Sequence, residues 1–154
     1  MKISIVAVGR LPRSPETDLT RIYVDRAGAA GRALGLGPVE VVEVESRKPG
    51  KAAEAEALKP HLADAHVIAC DEHGQPRPSR AFAEEIATLR DRGVRRLVFL
   101  VGGADGLDAG LLARANGKLA FGPQTWPHAL ARVMLSEQVY RAVTILAGSP
   151  YHRD

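Results

Sequence analysis

Short hydrophobic runs alternate with longer stretches of helical periodicity along the chain. The runs are nearly continuous in apolar residues, as in strands that are covered on both faces of a parallel sheet. They predict strands at residues 3–8, 39–44, 66–70 and 96–101, with a short fifth strand around Leu119. Repeated strand and helix segments of these lengths predict an α/β fold, with a mainly parallel sheet and helices on both faces, in a single domain over residues 1–154.

The segments between these runs carry the periodicity and the end signals of helices. The first has Ser14 as N-cap and Pro15 at the first helical position, and Gly35 and Gly37 stop it. A mostly apolar face recurs along it at helical spacing: Leu19, Ile22, Tyr23, Arg26, Ala27, Ala30 and Leu34. Further helices are predicted over residues 52–62, from a Ser79 N-cap to Gly93, and from His128 onward.

Composition narrows the class of protein without fixing its function. The net charge of +3 comes from 21 basic and 18 acidic residues, a mild excess that fits an acidic partner but does not establish nucleic-acid binding. The lone Cys70 excludes an intramolecular disulfide and fits a reducing cytosol. The N-terminal apolar run is too short for a signal peptide, and no stretch approaches the roughly 20 residues of a membrane helix. We therefore expect a cytoplasmic protein with no membrane partner.

A glycine-rich segment follows the strongest predicted strand. Residues 102–107 read Gly-Gly-Ala-Asp-Gly-Leu, and glycines permit positive φ and a close approach of the backbone to a ligand. The segment lacks both Gly-x-Gly-x-x-Gly and Gly-Lys-Ser/Thr, so nicotinamide enzymes and nucleoside triphosphatases are disfavoured. On the glycines alone, a ligand-binding loop and a plain strand-to-helix turn stay equally open.

Three other segments are candidates for chemistry or for binding. Residues 71–74 hold Asp71, Glu72 and His73, but adjacent side chains on an extended backbone diverge, so we expect no metal site. Residues 121–128 combine aromatic surface with a backbone turned by Gly and Pro, a lining that an adenine ring could occupy, although for Trp126 itself a place in the core is favoured. For the basic segment 46–51, a solvated connection is favoured over contact with RNA phosphates.

The C-terminal segment combines an apolar helix with a polar, aromatic tail. Apolar residues wrap around much of the helix: Leu130, Val133, Met134, Leu135, Val139, Val143, Ile145 and Leu146. Such a helix needs two partners, which we expect to be the sheet and a second subunit in a two-fold dimer. Glu137 and Arg141 lie four residues apart and can pair, either as a solvated ion pair or as part of a site.

Three motifs in this order resemble the signature of the RlmH family. They are residues 100–107, then Thr125–His128 with Arg132–Val133 and Glu137–Ala142, and finally Pro150–Arg153. This family comprises SPOUT-class methyltransferases that act on N3 of a pseudouridine in the RNA of the large ribosomal subunit. The resemblance extends over the whole chain. The three motifs in this order are specific for the family, whereas the glycine segment alone is not.

The resemblance implies a homodimer with a deep C-terminal trefoil knot and S-adenosylmethionine as the methyl donor. The implied cofactor residues are Cys70, Gly102, Phe121, Gly122, Pro123, Gln124, Thr125 and Trp126. The implied substrate is pseudouridine 1915 in helix 69 of 23S ribosomal RNA, on assembled ribosomes. Two alternatives stay open: a SPOUT enzyme for another RNA such as tRNA, and a non-catalytic RNA-binding or ribosome-assembly factor.

The tail is the predicted substrate-facing half of the site. Transfer to a neutral N3 requires orientation of two reactants and an acceptor for the departing proton. We hypothesise that Tyr151, His152 and Arg153, together with Arg141, hold a flipped base and its phosphates, within one chain or across the dimer. Because imidazoles exchange protons near neutral pH, His152 is the first candidate acceptor and Glu137 is its rival.

Overall fold

Within residues 1–153, which the computed structural model describes, five strands form one parallel sheet. Asp154, the last residue of the predicted domain and tail, lies outside the described residues. The order across the sheet is β2-β1-β4-β3-β5, and every pairing is parallel. The strands are β1 (Lys2–Val8), β2 (Val39–Val44), β3 (His66–Pro76), β4 (Arg96–Val101) and β5 (Gly117–Ala120). The predicted α/β fold is confirmed.

Helices cover both faces of the sheet, as predicted. They are α1 (Pro15–Gly31), α2 (Lys51–Leu62), α3 (Ser79–Asp91), α4 (Ala109–Arg114) and α5 (His128–Leu146). Alternate residues of β1 point to opposite faces, so Ile3 and Ile5 join a core with α1, α3 and α5, whereas Val6 and Val8 join a core with α2 and α4. The sheet is therefore buried between two helical layers.

Strand β3 is longer than the sequence predicts. It continues past Cys70 to Pro76, with an irregularity in its pairing with β5 between Cys70 and Gln75. A Cβ on Gly74 would lie only 2.7 Å from the carbonyl carbon of Leu119, so glycine lets the two backbones approach here. The loop predicted at 71–74 is therefore wrong, and these residues extend the strand.

Helix α1 begins as predicted, and only part of its predicted apolar face is buried. The Ser14 hydroxyl accepts a hydrogen bond from the Thr17 backbone N–H at 3.2 Å, which confirms the N-cap. The helix ends at Gly31 and continues as a 3-10 turn, Arg32–Leu34, before Gly35 at φ +68°. Small residues allow a close approach to the sheet, and the buried positions are Thr20, Val24, Ala27 and Gly31. Leu19 and Ile22, on the face traced from the sequence, are 42% and 37% exposed.

Two helix starts differ from the sequence prediction. Pro78 is the N-cap of α3 and Ser79 is its first residue, because the Ser79 hydroxyl donates to Gln138 Oε1 at 2.8 Å instead of capping the helix. Helix α4 follows the glycine segment, for which a strand-to-helix turn was one of two open interpretations. The Asp108 side chain caps this helix by accepting hydrogen bonds from the backbone N–H groups of Gly110 and Leu111. Residues 102–107 thus join a strand to a capped helix.

Helix α5 finds most of its partners within the chain. It packs between α1 and α3, and Leu135, Val139 and Val143 are fully buried in the core that it shares with them. The argument that its apolar circumference requires a second subunit is therefore wrong for most of the helix. Leu130, in its first turn, stays 39% exposed.

In residues 1–153, none of the helices combines the length and the apolarity that crossing a membrane demands. The trefoil knot that the resemblance implies stays a prediction.

Candidate active site

The carboxyl edge of the sheet is shaped by the glycine segment after β4. A Cβ on Gly102 would lie 2.7 Å from the carbonyl carbon of Gly106, so a side chain there would collide with backbone. Gly106 has φ +78°, and its N–H donates to the carbonyl of Gly103 at 3.1 Å. The segment is a tight turn that presents backbone to the space above the strands.

A cavity of about 300 Å³ opens at this edge, between the ends of β3, β4 and β5. This volume lies at the lower end of the range typical of small-molecule sites. The predicted cofactor residues that line it are Cys70, Gly102, Phe121, Gly122, Gln124, Thr125 and Trp126. Pro123 is exposed and is absent from the lining. The fold thus gathers three segments distant in sequence, while their role in binding stays a prediction.

Trp126 lies at the mouth of this cavity and not in the core. Its side chain is 41% exposed, and its Nε1 donates to the Phe121 carbonyl at 3.2 Å. This hydrogen bond closes the turn over residues 121–126 and leaves aromatic surface available. The favoured interpretation of Trp126 as a core residue is therefore wrong, because its indole closes the turn from the surface.

The Cys70 thiol is held uncharged at the base of the cavity. Burial raises its pKa to about 12, and the neighbouring Asp71 carboxylate adds to this effect. A neutral thiol is neither a strong nucleophile nor a good metal ligand. Cys70 therefore contributes packing at this strand end.

The charges around the cavity select the kind of ligand. Asp71, Glu72 and Asp105 contribute to the lining, which contains neither lysine nor arginine. Such a lining favours a cationic ligand and disfavours phosphates. Among residues 1–153, no group of three or more His, Cys, Asp or Glu side chains is arranged to hold a metal ion.

A second polar cluster centres on Glu137. Its Oε1 accepts hydrogen bonds from Arg141 Nε at 2.9 Å, from Arg141 Nη2 at 2.6 Å and from the Tyr151 hydroxyl at 3.0 Å. Arg141 Nη1 lies 3.2 Å from His152 Nδ1, which must be the acceptor because a guanidinium only donates. The fold thus brings Glu137, Arg141, Tyr151 and His152 together, whereas Arg153 is exposed.

Tilted aromatic rings in contact hold the tail against α5. The Tyr151 ring centroid lies 4.7 Å from that of Tyr140. The Tyr140 centroid in turn lies 6.0 Å from the ring centroid of Tyr23 in α1. The Arg141 guanidinium lies over the Tyr151 ring at 4.9 Å from its centroid. Burial and the hydrogen bond to Glu137 raise the pKa of Tyr151, and the hydrogen bond to Glu137 raises the pKa of Arg141. Tyr151 is therefore a neutral donor and Arg141 a permanent cation.

Gln138 connects this cluster to the wall of the cavity at the carboxyl edge. Its Nε2 donates to Glu137 Oε2 at 2.7 Å, and its Oε1 accepts from Ser79. Gln138 also lines a smaller cavity of about 150 Å³, which shares Phe121 and Gly122 with the larger one. No residue of the tail within the described part of the chain lines the larger cavity. The sequence marks Ser79 only as a helix cap and Gln138 only as part of a family motif, since no local pattern indicates a hydrogen bond between residues 59 positions apart.

Arg132, which the sequence marks only as part of a family motif, is a buried cation beside the end of β1. It is 1% exposed, and its Nη2 donates to the carbonyls of Val8 and Gly9, both at 2.7 Å. Its Nη1 pairs with Glu43 Oε1 at 2.9 Å. Burial lowers the pKa of Arg132 and Glu43 opposes that effect, but a guanidinium stays charged. The signal was an arginine within an otherwise apolar helical stretch.

We expect Arg132→Met to lower the free energy of unfolding by about 2–4 kcal/mol, because it leaves the Glu43 carboxylate without its cation and one buried and one partly buried carbonyl without a donor. Urea denaturation followed by circular dichroism measures this. Arg92→Met is the control, because Arg92 is exposed and in no ion pair within the described chain. If Arg132→Met lowers the free energy of unfolding no more than the control does, the hydrogen bonds and ion pair of Arg132 do not hold α5 to the ends of β1 and β2.

The chain matches a known family over nearly its whole length. The family model described as predicted SPOUT methyltransferase matches residues 1–152. Proteins named ribosomal RNA large subunit methyltransferase H are 82% identical in Phenylobacterium zucineum and 71% identical in Caulobacter sp. strain K31, each covering 100% of both chains. A protein of the same name from Dinoroseobacter shibae is 54% identical and covers 99% of each chain.

Solved structures agree with the fold. A probable methyltransferase from Bordetella pertussis gives a TM-score of 0.54 at 19% identity, covering 92% of this chain and 96% of the other. A probable methylase family protein from Haemophilus influenzae gives 0.56 at 14% identity, covering 99% and 70%. Given the family match over residues 1–152 and the relatives of equal length, the chain belongs to the SPOUT methyltransferases, in the RlmH family of ribosomal RNA large-subunit enzymes.

Proposed function

We propose that this enzyme transfers a methyl group from S-adenosylmethionine to N3 of a pseudouridine in 23S ribosomal RNA, at position 1915 of helix 69, on assembled ribosomes in the cytoplasm. The observation that carries the proposal is the acidic cavity at the carboxyl edge, in a chain 82% identical to a protein named ribosomal RNA large subunit methyltransferase H. The family relationship supports methyl transfer to large-subunit RNA. We add to this relationship the identity of the methyl donor, S-adenosylmethionine, of the methylated atom, N3, and of the modified nucleotide, pseudouridine 1915.

The cavity suits the proposed donor in shape and charge. S-adenosylmethionine, when bound, supplies a methyl carbon made electrophilic by a positive sulfur, without any metal. Asp71, Glu72 and Asp105 are the carboxylates that would favour this cation. The backbone around Gly102 can approach the ligand closely, and the exposed face of Trp126 offers a stacking surface for an adenine ring.

The Glu137 cluster provides orientation for the acceptor base. Glu137 Oε1 already accepts three hydrogen bonds, two from Arg141 and one from Tyr151, so it has little capacity for a further proton. We therefore assign Glu137 as a positioning residue. Its pairing fixes the Arg141 guanidinium, whose positive charge would stabilise the negative charge that develops on the base as N3 loses its proton.

His152 is the proposed acceptor of the N3 proton. Its Nδ1 meets Arg141 at 3.2 Å, a longer contact than those at Glu137 Oε1. In the reaction the N3–carbon bond forms, the carbon–sulfur bond breaks with its electron pair returning to sulfur, and the N3 proton moves to the imidazole. Tyr151 supplies a ring for stacking against a flipped base.

A homodimer would unite the two halves of the site. In one described chain, the cofactor cavity contains no tail residue. Leu19 and Ile22 of α1 and Leu130 of α5 are large apolar side chains left 37–42% exposed on helices that pack together. A two-fold interface over these helices would bury them. We propose that it also brings the tail of one subunit to the cofactor cavity of its partner.

Labelled S-adenosylmethionine tests the function directly. The protein is incubated with assembled ribosomes, isolated large subunits, free 23S RNA and tRNA, all from cells that lack this activity. We expect label in 23S RNA of assembled ribosomes, and a reverse-transcriptase stop at the modified pseudouridine, because N3 methylation blocks its pairing edge. Label in tRNA would favour the other RNA substrate, and the absence of label in every RNA would favour a binding or assembly role.

A further inference from the structure

Two loops leave the sheet side by side at its carboxyl edge. Residues 9–14 follow β1, and residues 45–50 follow β2 and lead into Lys51 of α2. The strands are neighbours with Val8 opposite Val44, and the Gly9 N–H donates to the Val44 carbonyl at 2.9 Å. The two loops therefore start a few ångströms apart. We call residues 9–14 and 45–51 the basic rim.

The basic rim is strongly positive. Its exposed cations are Arg10, Arg13, Arg47, Lys48 and Lys51. None of these five forms a salt bridge with another described residue. Glu45 is the one carboxylate in the rim. The nearby Glu43 is paired with the buried Arg132 and accepts from the Leu11 backbone N–H, so it leaves the rim charge uncompensated.

This small surface accounts for the whole positive charge of the chain. The chain has 21 basic and 18 acidic residues, and the rim holds five of the former and one of the latter. The remainder therefore carries 16 basic and 17 acidic residues, a net charge of −1. A surface charge concentrated in this way has a specific location, which the mild overall excess did not reveal.

The rim lies beside the cofactor cavity. Strand β1 pairs with β4 on its other side, so the rim adjoins the glycine segment that follows β4. A Cβ on Gly103 would lie 3.4 Å from Val8 Cγ1 and 3.8 Å from the Glu54 carboxylate in the first turn of α2. The glycine segment thus contacts both elements that carry the rim. An acidic cavity and a cationic rim share one edge of the sheet.

We propose that the basic rim binds the phosphate backbone of the substrate RNA next to the target nucleotide. This inference rests on the proposed function, which supplies an RNA substrate. The acidic cavity repels phosphates, so the backbone of an RNA whose base enters the site must run outside it, along the adjacent surface of opposite charge. The rim offers cations to a polyanion but no exposed large apolar side chain to insert into a lipid bilayer.

Variants in which neutral glutamine replaces the rim cations test whether the rim binds RNA. The rim variant carries Arg10→Gln, Arg13→Gln, Arg47→Gln, Lys48→Gln and Lys51→Gln. A two-site rim variant, Arg10→Gln with Arg13→Gln, is matched by Arg92→Gln with Arg95→Gln. The matched arginines are also exposed and unpaired in the described chain, but they precede β4 at the opposite edge of the sheet. Circular dichroism confirms that all variants are folded.

Fluorescence anisotropy with a labelled RNA hairpin, without methyl donor, gives affinity as a function of salt. We expect the rim variant to bind at least tenfold more weakly at about 0.15 M salt, and its slope of log affinity against log salt to fall by about 3, at roughly 0.7 per lost phosphate contact. With ribosomal substrate, KM should rise while kcat at saturation and binding of S-adenosylmethionine stay unchanged. The two-site rim variant should weaken binding, and the matched variant should not.

Two results would overturn the proposal. One is an unchanged affinity and salt slope in the rim variant. The other is binding of the wild type to vesicles containing anionic phospholipid that is lost in the rim variant while RNA affinity stays the same. If the wild type methylates no RNA, the proposed function fails, but the anisotropy comparison still decides whether the rim binds RNA.

Discussion

Truncating the chain after Pro150 is expected to reduce methyl transfer by about three orders of magnitude while leaving the affinity for S-adenosylmethionine unchanged. The truncation removes the Tyr151 ring that packs on Tyr140, and with it His152, the proposed proton acceptor. No removed residue within the described chain lines the cofactor cavity. Single-turnover methylation and calorimetry measure the two effects separately.

Tyr151→Phe is the matched control for this truncation. It keeps the ring that contacts Tyr140 and Arg141 but deletes the hydroxyl that donates to Glu137. Its rate should fall far less than that of the truncated protein. A normal rate in the truncated enzyme would show that the tail is not part of the active site. Loss of S-adenosylmethionine binding on truncation would show that the tail contributes to the cofactor site and not only to the substrate site.

Gly102→Ala is expected to weaken binding of S-adenosylmethionine at least tenfold while the protein stays folded. Its new methyl group would lie 2.7 Å from the Gly106 carbonyl carbon and 3.0 Å from the Leu107 nitrogen, so the turn must open. Backbone atoms cannot rotate away as a flexible side chain can, and small displacements of a positioned backbone greatly reduce ligand binding and orientation. Calorimetry measures affinity, and thermal unfolding shows whether the fold survives.

Gly28→Ala provides the comparison for this substitution. Gly28 lies within α1, and a Cβ there would have its nearest neighbour, the Val39 nitrogen, at 3.9 Å. This alanine should leave cofactor binding unchanged and stabilise the helix by about 0.5–1 kcal/mol. Equal affinity in the Gly102 and Gly28 variants would show that the turn at 102–107 is not part of the cofactor site.

Strand and helix order could be predicted because each element carries its own local signal. The apolar run of β4 and the Ser14 cap of α1 are properties of a few adjacent residues, and both appear where they were predicted. The glycine segment and residues 121–126 could be selected as candidates for the same reason. That they line one cavity follows from parallel strands, whose carboxyl ends meet at one edge.

Features that depend on contacts between distant residues could not be predicted. The Arg132 clamp joins α5 to β1 over 124 residues, and the extension of β3 depends on the Gly74 backbone packing against Leu119. Helical periodicity correctly places Leu19 and Ile22 on one face of α1. It does not indicate whether that face packs against the sheet of the same chain or against a second subunit. The charge of the basic rim is likewise divided between two segments that are separated in sequence and adjacent only in the fold.

Mixing the two variants, at an S-adenosylmethionine concentration too low to load Gly102→Ala, tests the central claim that one subunit's tail completes its partner's cofactor cavity. The protein truncated after Pro150 keeps an intact cavity, and Gly102→Ala keeps an intact tail, so a mixed dimer contains one complete site only if the halves join across the interface. After co-refolding of equal amounts, with dimers verified by mass, we predict about a quarter of wild-type activity, since half of the dimers are mixed and each has one of two sites. Activity no higher than that of the separate variants would contradict the shared site.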